Sequence, residues 1–524
     1  MAVFFALSSC SLDLTPETSL SDASFWNTDD NFQKACNRFY MYLNATDFRW
    51  DDNRSDFSIA ASVNSISSGT QVAPATATDW STPYQIIFTA HKIIENAEKV
   101  DFGANRWIAE ARFFRAYAYF NLVMKYGDVP LVLSVLDIGA PEFDAGRTDR
   151  AIIIEQIYQD LDFAAANLHT FQALGASGYG RVSKSAALAL KSRVALYFGT
   201  HQKYHGWGQP STHLALAITA AEAVMNEGHE LYTDKPYYYL FQMDGQGFAN
   251  KENIFAIIYG ESLANHIRSH NICRELENGA ANVTRYMVDL YLCTDGLPYD
   301  KSPLAEYPEI DHLSIFRNKD LRMDASLFKE GDWYGNPATY NQLSVSYIRT
   351  GFAGRKYSVI PDWISSRSYV DYAVIRYAEI LLIYAEAKFE RDGTISDADL
   401  DKSINLLRRR VDMPDLTNDF VNQNGLDMLS EIRRERCVEL AQEGFRYNDI
   451  IRWKIAENVL PRALVGATYF PTYTTTGLTI TPEGYIQAQS AETRSFDANK
   501  NYLYPVPVNE IGLSLGKITQ NPGW

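Results

Sequence analysis

The stretch Arg106–Pro130, RWIAEARFFRAYAYFNLVMKYGDVP, decides how the rest of the chain reads. Phe113, Ala116, Tyr117, Phe120, Val123 and Met124 recur at i, i+3, i+4, i+7, i+10 and i+11, which is one apolar face of a helix. Ala109, Ala111, Ala116 and Ala118 favour helix and are small enough for a second helix to come close. Gly127 can take the left-handed conformation that ends a helix, and Pro130 cannot continue one. The expectation is a long buried helix with a hard stop.

Comparable stripes lie on both sides. Phe32, Ala35, Cys36, Phe39, Tyr40 and Leu43 mark one; Ile86, Ala90, Ile93, Ile94 and Ala97 mark another. Further stripes follow at Ile154–Leu168, at Ala187–Phe198 with Ser183 as N-cap, and at Leu214–Met225. Helical patterning returns at Ile375–Phe389, at Leu400–Val411, and over Ser430–Gln442 and Arg446–Asn458. Each apolar face needs cover, and neighbouring hairpins stacked on one another supply it, which is the logic of a helical repeat. No fixed period is visible, so any repeat is degenerate. Ile254–Tyr259 reads as a strand. Two stretches break the helical pattern. Ala45–Thr78 is rich in Ser, Asn, Asp and Thr, and 261–371 is dense in Gly, Pro, Asn, Asp and Tyr. Long irregular segments inside a compact fold point to functional loops.

With 46% hydrophobic residues the 524-residue chain can bury a large core. A net charge of -16 argues against a nucleic-acid surface and against adsorption to anionic lipid. No run of 18 apolar residues is present to make a transmembrane helix. Five cysteines form no CxxC: Cys36 and Cys437 read as small buried hydrophobes, and the spacing leaves open whether Cys273 and Cys293 pair. His201 and His205 are four apart but lack a third ligand, so no metal or cofactor is expected.

Several blocks carry a family resemblance. AEARFFRAYAYFNLVMKYGDVPL is one, with GRVSKSAALALKSRVALYF (180–198), YMVDLYLCTDGLPY (286–299), FRNKDLRMDASLF (316–328), RYAEILLIYAEA (376–387), ERCVELAQEGFRYNDIIRW (435–453) and the terminal ITQNPGW. In this order and combination the chain resembles the SusD/RagB family over nearly its whole length. The resemblance implies a mainly α fold, a tetratricopeptide-like scaffold of eight helices in four pairs with long loops and a few short strands. It implies a non-enzymatic lipoprotein facing outward at the outer membrane. Such a protein captures an oligosaccharide or polysaccharide for a SusC-like TonB-dependent transporter, on which it sits as a lid. Some members bind peptides. The opening Leu7-Ser8-Ser9-Cys10 resembles a lipobox, which would make Cys10 the lipid-bearing residue. The organisation expected is a leader and tether at 1–22, an N-terminal helical part at 23–260 with a binding-loop insertion near 45–80, and a C-terminal part at 261–524. That last part holds irregular loops to 371, helices over 372–459 and an irregular tail, and the two parts pack as one unit.

The densest polar run, Glu435, Arg436, Glu439, Glu443, Arg446, Asp449 and Arg452, reads as ion pairs on and between two helices across a Gly444 turn. The resemblance agrees, because the motif marks the fold. A glycosidase needs two carboxyl groups about 5–9 Å apart, and Asp51 and Asp52, being adjacent, tend to diverge. Sugar capture needs aromatic platforms with polar groups beside them, on loops held by a rigid scaffold. The candidate ligand contacts are therefore Trp50 with Asp51 and Asp52, Trp333 and Tyr340 around GDWYGNP, and Trp363 in PDWISSRSY. Their competing fate is packing within the loops themselves. A surface hydrolase on a helical scaffold and a pure protein-interaction scaffold are the readings from other classes.

Overall fold

A computed structural model describes residues 25–137, 139–140, 145–261, 268–334, 339–342, 344, 349–365 and 367–524. The proposed tether and Cys10 lie outside the described residues. Six helices open the described chain: α1 (Asp29–Tyr40), α2 (Thr78–Ala97), α3 (Asn105–Tyr126), α4 (Arg150–Asn167), α5 (Lys184–His205) and α6 (Pro210–Met225). A short helix α7 (Ile272–Glu277) follows, then α8 (Tyr377–Asp392), α9 (Ile404–Arg409), α10 (Met428–Glu439) and α11 (Arg446–Arg452), with shorter turns between. From α2 to α6 each helix packs on its predecessor; α6 then packs on α8, and α8 on α10. The result is a stacked array of helices with three two-stranded ladders, the tetratricopeptide-like scaffold expected.

The quoted stretch becomes α3, buried on nearly every side rather than on one face. Phe114, Arg115, Ala118, Tyr119 and Leu122 are buried along with Phe113 and Phe120, while Tyr117 and Met124 are only partly so. The reason is its place in the stack, with α2 on one side, α4 on the other and α1 also in contact. Its one buried cation, Arg115, is held by both oxygens of Asp160 from α4, at 2.6 and 2.8 Å. Gly127 ends the helix at φ 72°, a region open to glycine. Ser183 caps α5 as expected, its hydroxyl accepting from the Ala186 N–H at 3.2 Å.

The polar run of α10 and α11 is structural, but its partners lie mostly outside those two helices. Arg436–Asp449 and Arg452–Asp449 are the pairs that spacing suggested. The other carboxylates reach elsewhere. Glu435 binds Arg322 and Arg408, Glu439 binds Arg322, Arg376 and Arg410, and Glu443 binds Arg376 and Lys356. Glu252 joins through Arg376 and Arg410, and Asp320 through Arg322. Five cations and five carboxylates thus close a neutral, buried network. Burial alone would raise these carboxyls, but Arg322 and Arg408 hold Glu435 below its usual range, as Arg376 and Lys356 do for Glu443. Lys356, buried among them, is pushed down to about 8 by desolvation.

Strand β2 (Asn253–Ile257) pairs antiparallel with β4 (Tyr372–Arg376). This ladder fixes the architecture of the irregular region: the chain leaves at 258 and returns at 371, so the described residues between form a plate hung from two paired strands. Strand β1 (Ser58–Ile59), from the other irregular stretch, pairs with β3 (Asn282–Val283) inside that plate. A second apolar cluster lies here, including Phe57, Val283, Met287, Tyr291, Phe352 and Trp453. The last ladder joins β5 (Leu464–Thr468) to β6 (Tyr485–Gln489). Cys36, Cys273, Cys293 and Cys437 are all free and buried, so Cys273 and Cys293 are not paired. Among the described residues no helix is long and apolar enough to cross a membrane.

Candidate functional site

Helix α7 is where the sequence-predicted aromatics meet. Ile272, Cys273 and Leu276 face inward, and the Cys273 sulfur accepts from the Val359 N–H at 3.2 Å and the Ser368 hydroxyl at 3.3 Å. Arg274, Glu275 and Glu277 are left partly exposed. Three separate stretches make contact with this helix. The Trp50 indole N–H donates to Glu275 Oε2. The Trp363 indole N–H donates to Glu277 Oε2 at 3.2 Å. The Tyr334 hydroxyl donates to the Leu276 carbonyl at 3.0 Å. Trp333 stands edge-on to Trp363, with ring centroids 5.3 Å apart, and Tyr334 is 5.4 Å from Trp363. Trp50 and Trp333 are half-buried, each keeping part of its ring exposed.

Other expected contacts are placed differently. Trp363 is 1% exposed and Tyr340 2%, so in this conformation neither offers a ring face to a ligand. Both close the loop instead. Tyr340 exchanges backbone bonds with Gly331 and Asp332, and its hydroxyl donates to the Gly351 carbonyl at 2.9 Å. Asp52 is also buried: Oδ1 accepts from the Arg446 N–H at 3.1 Å at the start of α11. Burial pushes its carboxyl up to about 6, although backbone N–H groups of Arg446 and Gly444 pull the other way. Asp51 turns away from its neighbour, as expected, and pairs with Arg54 at 2.6 Å. It lines a different, interior cavity of about 100 Å³ beside Asn121, Arg193 and Asn448. Residues 49–59, within the stretch near 45–80 expected as a binding-loop insertion, are largely buried because their polar groups find fixed partners. Examples are Arg446 on Asp56 at 2.8 Å and the Asn53 amide on the Ala280 carbonyl at 2.9 Å. What remains at the surface is Trp50, at the edge of that seated segment.

The residues that sequence reading missed are Arg274, Glu275 and Glu277. The signal was the i, i+4 pair Ile272 and Leu276 in ICRELE, one turn of amphipathic helix inside a region read as irregular. Burial raises the Glu275 carboxyl, and the bond from Trp50 opposes that. Glu277 is paired to Arg274. Beneath the cluster Arg49 lies 4.9 Å from the Trp50 ring centroid; burial lowers its guanidinium to about 10.

A wide concavity lies elsewhere. It is an open trough of about 1080 Å³ between α1 and α2, lined by Trp26, Tyr42, Trp80, Tyr84 and Phe88. Its walls mix exposed apolar side chains, with Met41 72% and Phe88 53% exposed, with polar ones that include Lys34, Arg38, Gln85 and Lys92. The stacked His201 and His205 rings, 3.9 Å apart, serve packing: the Trp207 indole N–H donates to His201 Nδ1 at 2.9 Å.

A rigid helical array presenting half-exposed indoles beside carboxylates defines a binding protein built on a helical scaffold. The chain belongs to the SusD family, whose sequence model matches residues 251–524; a second model, described as starch-binding and associating with the outer membrane, matches residues 12–196. SusD-like protein P2 of Formosa agariphila is 27% identical over 577 aligned residues, covering 100% of this chain and 98% of the relative. A SusD-like carbohydrate-binding protein of Bacteroides fragilis superposes with a TM-score of 0.79 at 27% identity, covering 94% of this chain and 99% of that one. A laminarin-binding SusD-like protein shares the fold, with a TM-score of 0.63 at 21% identity over 95% of this chain and all of its own.

Proposed function

We propose that this chain captures a glycan at the surface formed by Trp50, Glu275 and Trp333, without acting on it chemically. It passes the ligand to a SusC-like TonB-dependent transporter and is held at the outer membrane, facing outward, by lipid on Cys10. The observation that carries the reading is that one short helix gathers both loops: Glu275 accepts from the half-exposed Trp50, and the half-exposed Trp333 is joined to the helix through Trp363 on Glu277 and Tyr334 on Leu276. Indole faces suit the C–H faces of sugar rings, and carboxylates accept from hydroxyls. The family, its outer-membrane description and the carbohydrate-binding relative support the same view. Hydrolysis needs a pair of available carboxyls. Here Glu277 is taken by Arg274 and Trp363, Asp332 by Arg355, and Asp362 is buried, which leaves Glu275 among the described carboxyls of the cluster.

The test is electrophoresis of the protein from Ser11 onward through native gels that each contain one polysaccharide, with the same mixtures assayed for new reducing ends. Retardation without new ends is expected. New ends would replace this reading with a hydrolase. Retardation by none of a broad panel would turn the reading toward peptides or protein partners.

A further inference from the structure

We infer that the site selects by charge: Glu275 makes it a surface for uncharged glycans and turns away polymers carrying sulfate or uronate. This rests on the capture reading above. Among the groups beside the rings, Glu275, Glu277 and Asp332 are acidic, and Arg274 and Arg355 are basic. Each of these two cations has a carboxylate partner. Arg274 pairs with Glu277, and Arg355 pairs with Asp332 at 3.1 Å while its guanidinium lies over the Tyr238 and Phe328 rings. Arg49, behind Trp50, is buried and donates to the Gln442 side chain at 2.6 Å. Glu275 differs from its neighbours: its partner is the neutral Trp50 indole, so its charge is not neutralised by an ion pair among the described residues.

Recognition of sulfate or carboxylate calls for an available guanidinium fork or a cluster of backbone N–H groups. The cluster offers a half-exposed carboxylate instead. A sugar ring lying on Trp50 brings its substituents close to Glu275, where a hydroxyl gains a charge-assisted hydrogen bond and an anionic group meets like charge. The net charge of -16 on the whole chain adds long-range repulsion of the same sign, which salt screens.

The test uses laminarin and xyloglucan as uncharged probes, each beside its own carboxymethylated form, at low and raised ionic strength. The wild-type protein should hold an uncharged polymer about tenfold or more tightly than its carboxymethylated form at low salt, and raised salt should narrow the gap. Glu275→Gln keeps an acceptor for the Trp50 N–H but removes the charge, and should bring the two affinities within about threefold. A matched urea midpoint confirms that this variant is folded. Equal affinity for both forms in the wild type, or an unchanged gap in Glu275→Gln, overturns the inference while leaving capture intact. Where neither probe is retained, the comparison is made with an uncharged polymer of the panel above that is; retention of no polymer of that panel in either form removes the capture reading, and the inference with it. Retention that survives both Trp50→Ala and Trp333→Ala moves the site elsewhere and equally overturns the inference.

Discussion

Trp363→Ala and Trp50→Ala should separate folding from binding. Trp363 is 1% exposed, its ring meets Phe328, Trp333 and Tyr334 at centroid distances of 5.3–5.8 Å, and its indole N–H is bonded to Glu277. Truncating a buried Trp to Ala costs about 3–5 kcal/mol through lost transfer energy and the cavity left behind. Glu277 keeps Arg274 as a partner, so no stranded charge adds to this. Trp50 is half-buried, and Glu275 beside it is open to water that can replace the indole. Its loss should cost about 1–2 kcal/mol of stability. The binding effects should run the other way. Trp50→Ala removes a stacking face and should weaken polysaccharide retention about tenfold. Equilibrium urea unfolding followed by circular dichroism gives the first quantity, and affinity electrophoresis of the same samples gives the second. If Trp363→Ala unfolds no more readily than Trp50→Ala, the packing argument fails. If it loses affinity while keeping full stability, Trp363 is a ligand-facing ring after all.

Three further outcomes follow from the same structure. Glu439→Gln leaves Arg322, Arg376 and Arg410 around a neutral amide and should cost about 3–5 kcal/mol in urea unfolding; a cost under about 1 kcal/mol would refute its central role. Gly444 has φ 83°, and a Cβ there would lie 2.3 Å from the Phe48 carbonyl oxygen and 3.0 Å from the Asp51 Cβ. Gly444→Ala should therefore destabilise by more than about 2 kcal/mol and weaken retention by shifting the segment that carries Trp50, which thermal melts and gels would show. Burial pushes the Asp371 carboxyl up from 3.8 to about 7, with the Tyr259 and Gly247 N–H groups opposing. A raised carboxyl gives stability that is complete below about pH 4 and lost as pH rises through about 7. Asp371→Asn should flatten that fall, gaining up to about 4 kcal/mol on the wild type at about pH 8, and parallel urea midpoints across pH would refute it.

Much of the scaffold was legible in the residues because a helix writes its buried face at fixed spacing. The stripes at Ile86–Ala97 and Leu214–Met225 fall on helices, as does Phe32–Tyr40, with Leu43 just past the end of α1; Ser183 announces the start of α5 by a hydroxyl that accepts from the Ala186 N–H. Periodicity could not tell that α3 is buried all round, since that depends on which helices flank it. Nor could it tell where Glu435, Glu439 and Glu443 reach, because Arg322, Lys356 and Arg376 come from the plate and from β4, far away in sequence. At the site, composition pointed to the stretches that carry Trp50, Trp333 and Trp363. It could not grade their exposure: Trp333 and Trp363 sit in similarly polar surroundings, and only packing against Phe328 and α7 distinguishes the ring that is hidden. Asp51 and Asp52 show the same limit, one facing an interior cavity and the other capping α11.

The ten-charge network has a thermal consequence. Its members run from Glu252 to Glu443 and include Asp320, Arg322 and Lys356 of the plate that carries α7, whereas the array from α1 to α6 is held chiefly by apolar contact. These two kinds of cohesion respond to temperature in opposite senses. Apolar cohesion weakens on cooling, while the desolvation penalty of buried ion pairs falls on heating. Cold should therefore loosen the array first and leave the charge network firm, and warmth should cost the network less than it costs an all-apolar core of the same size.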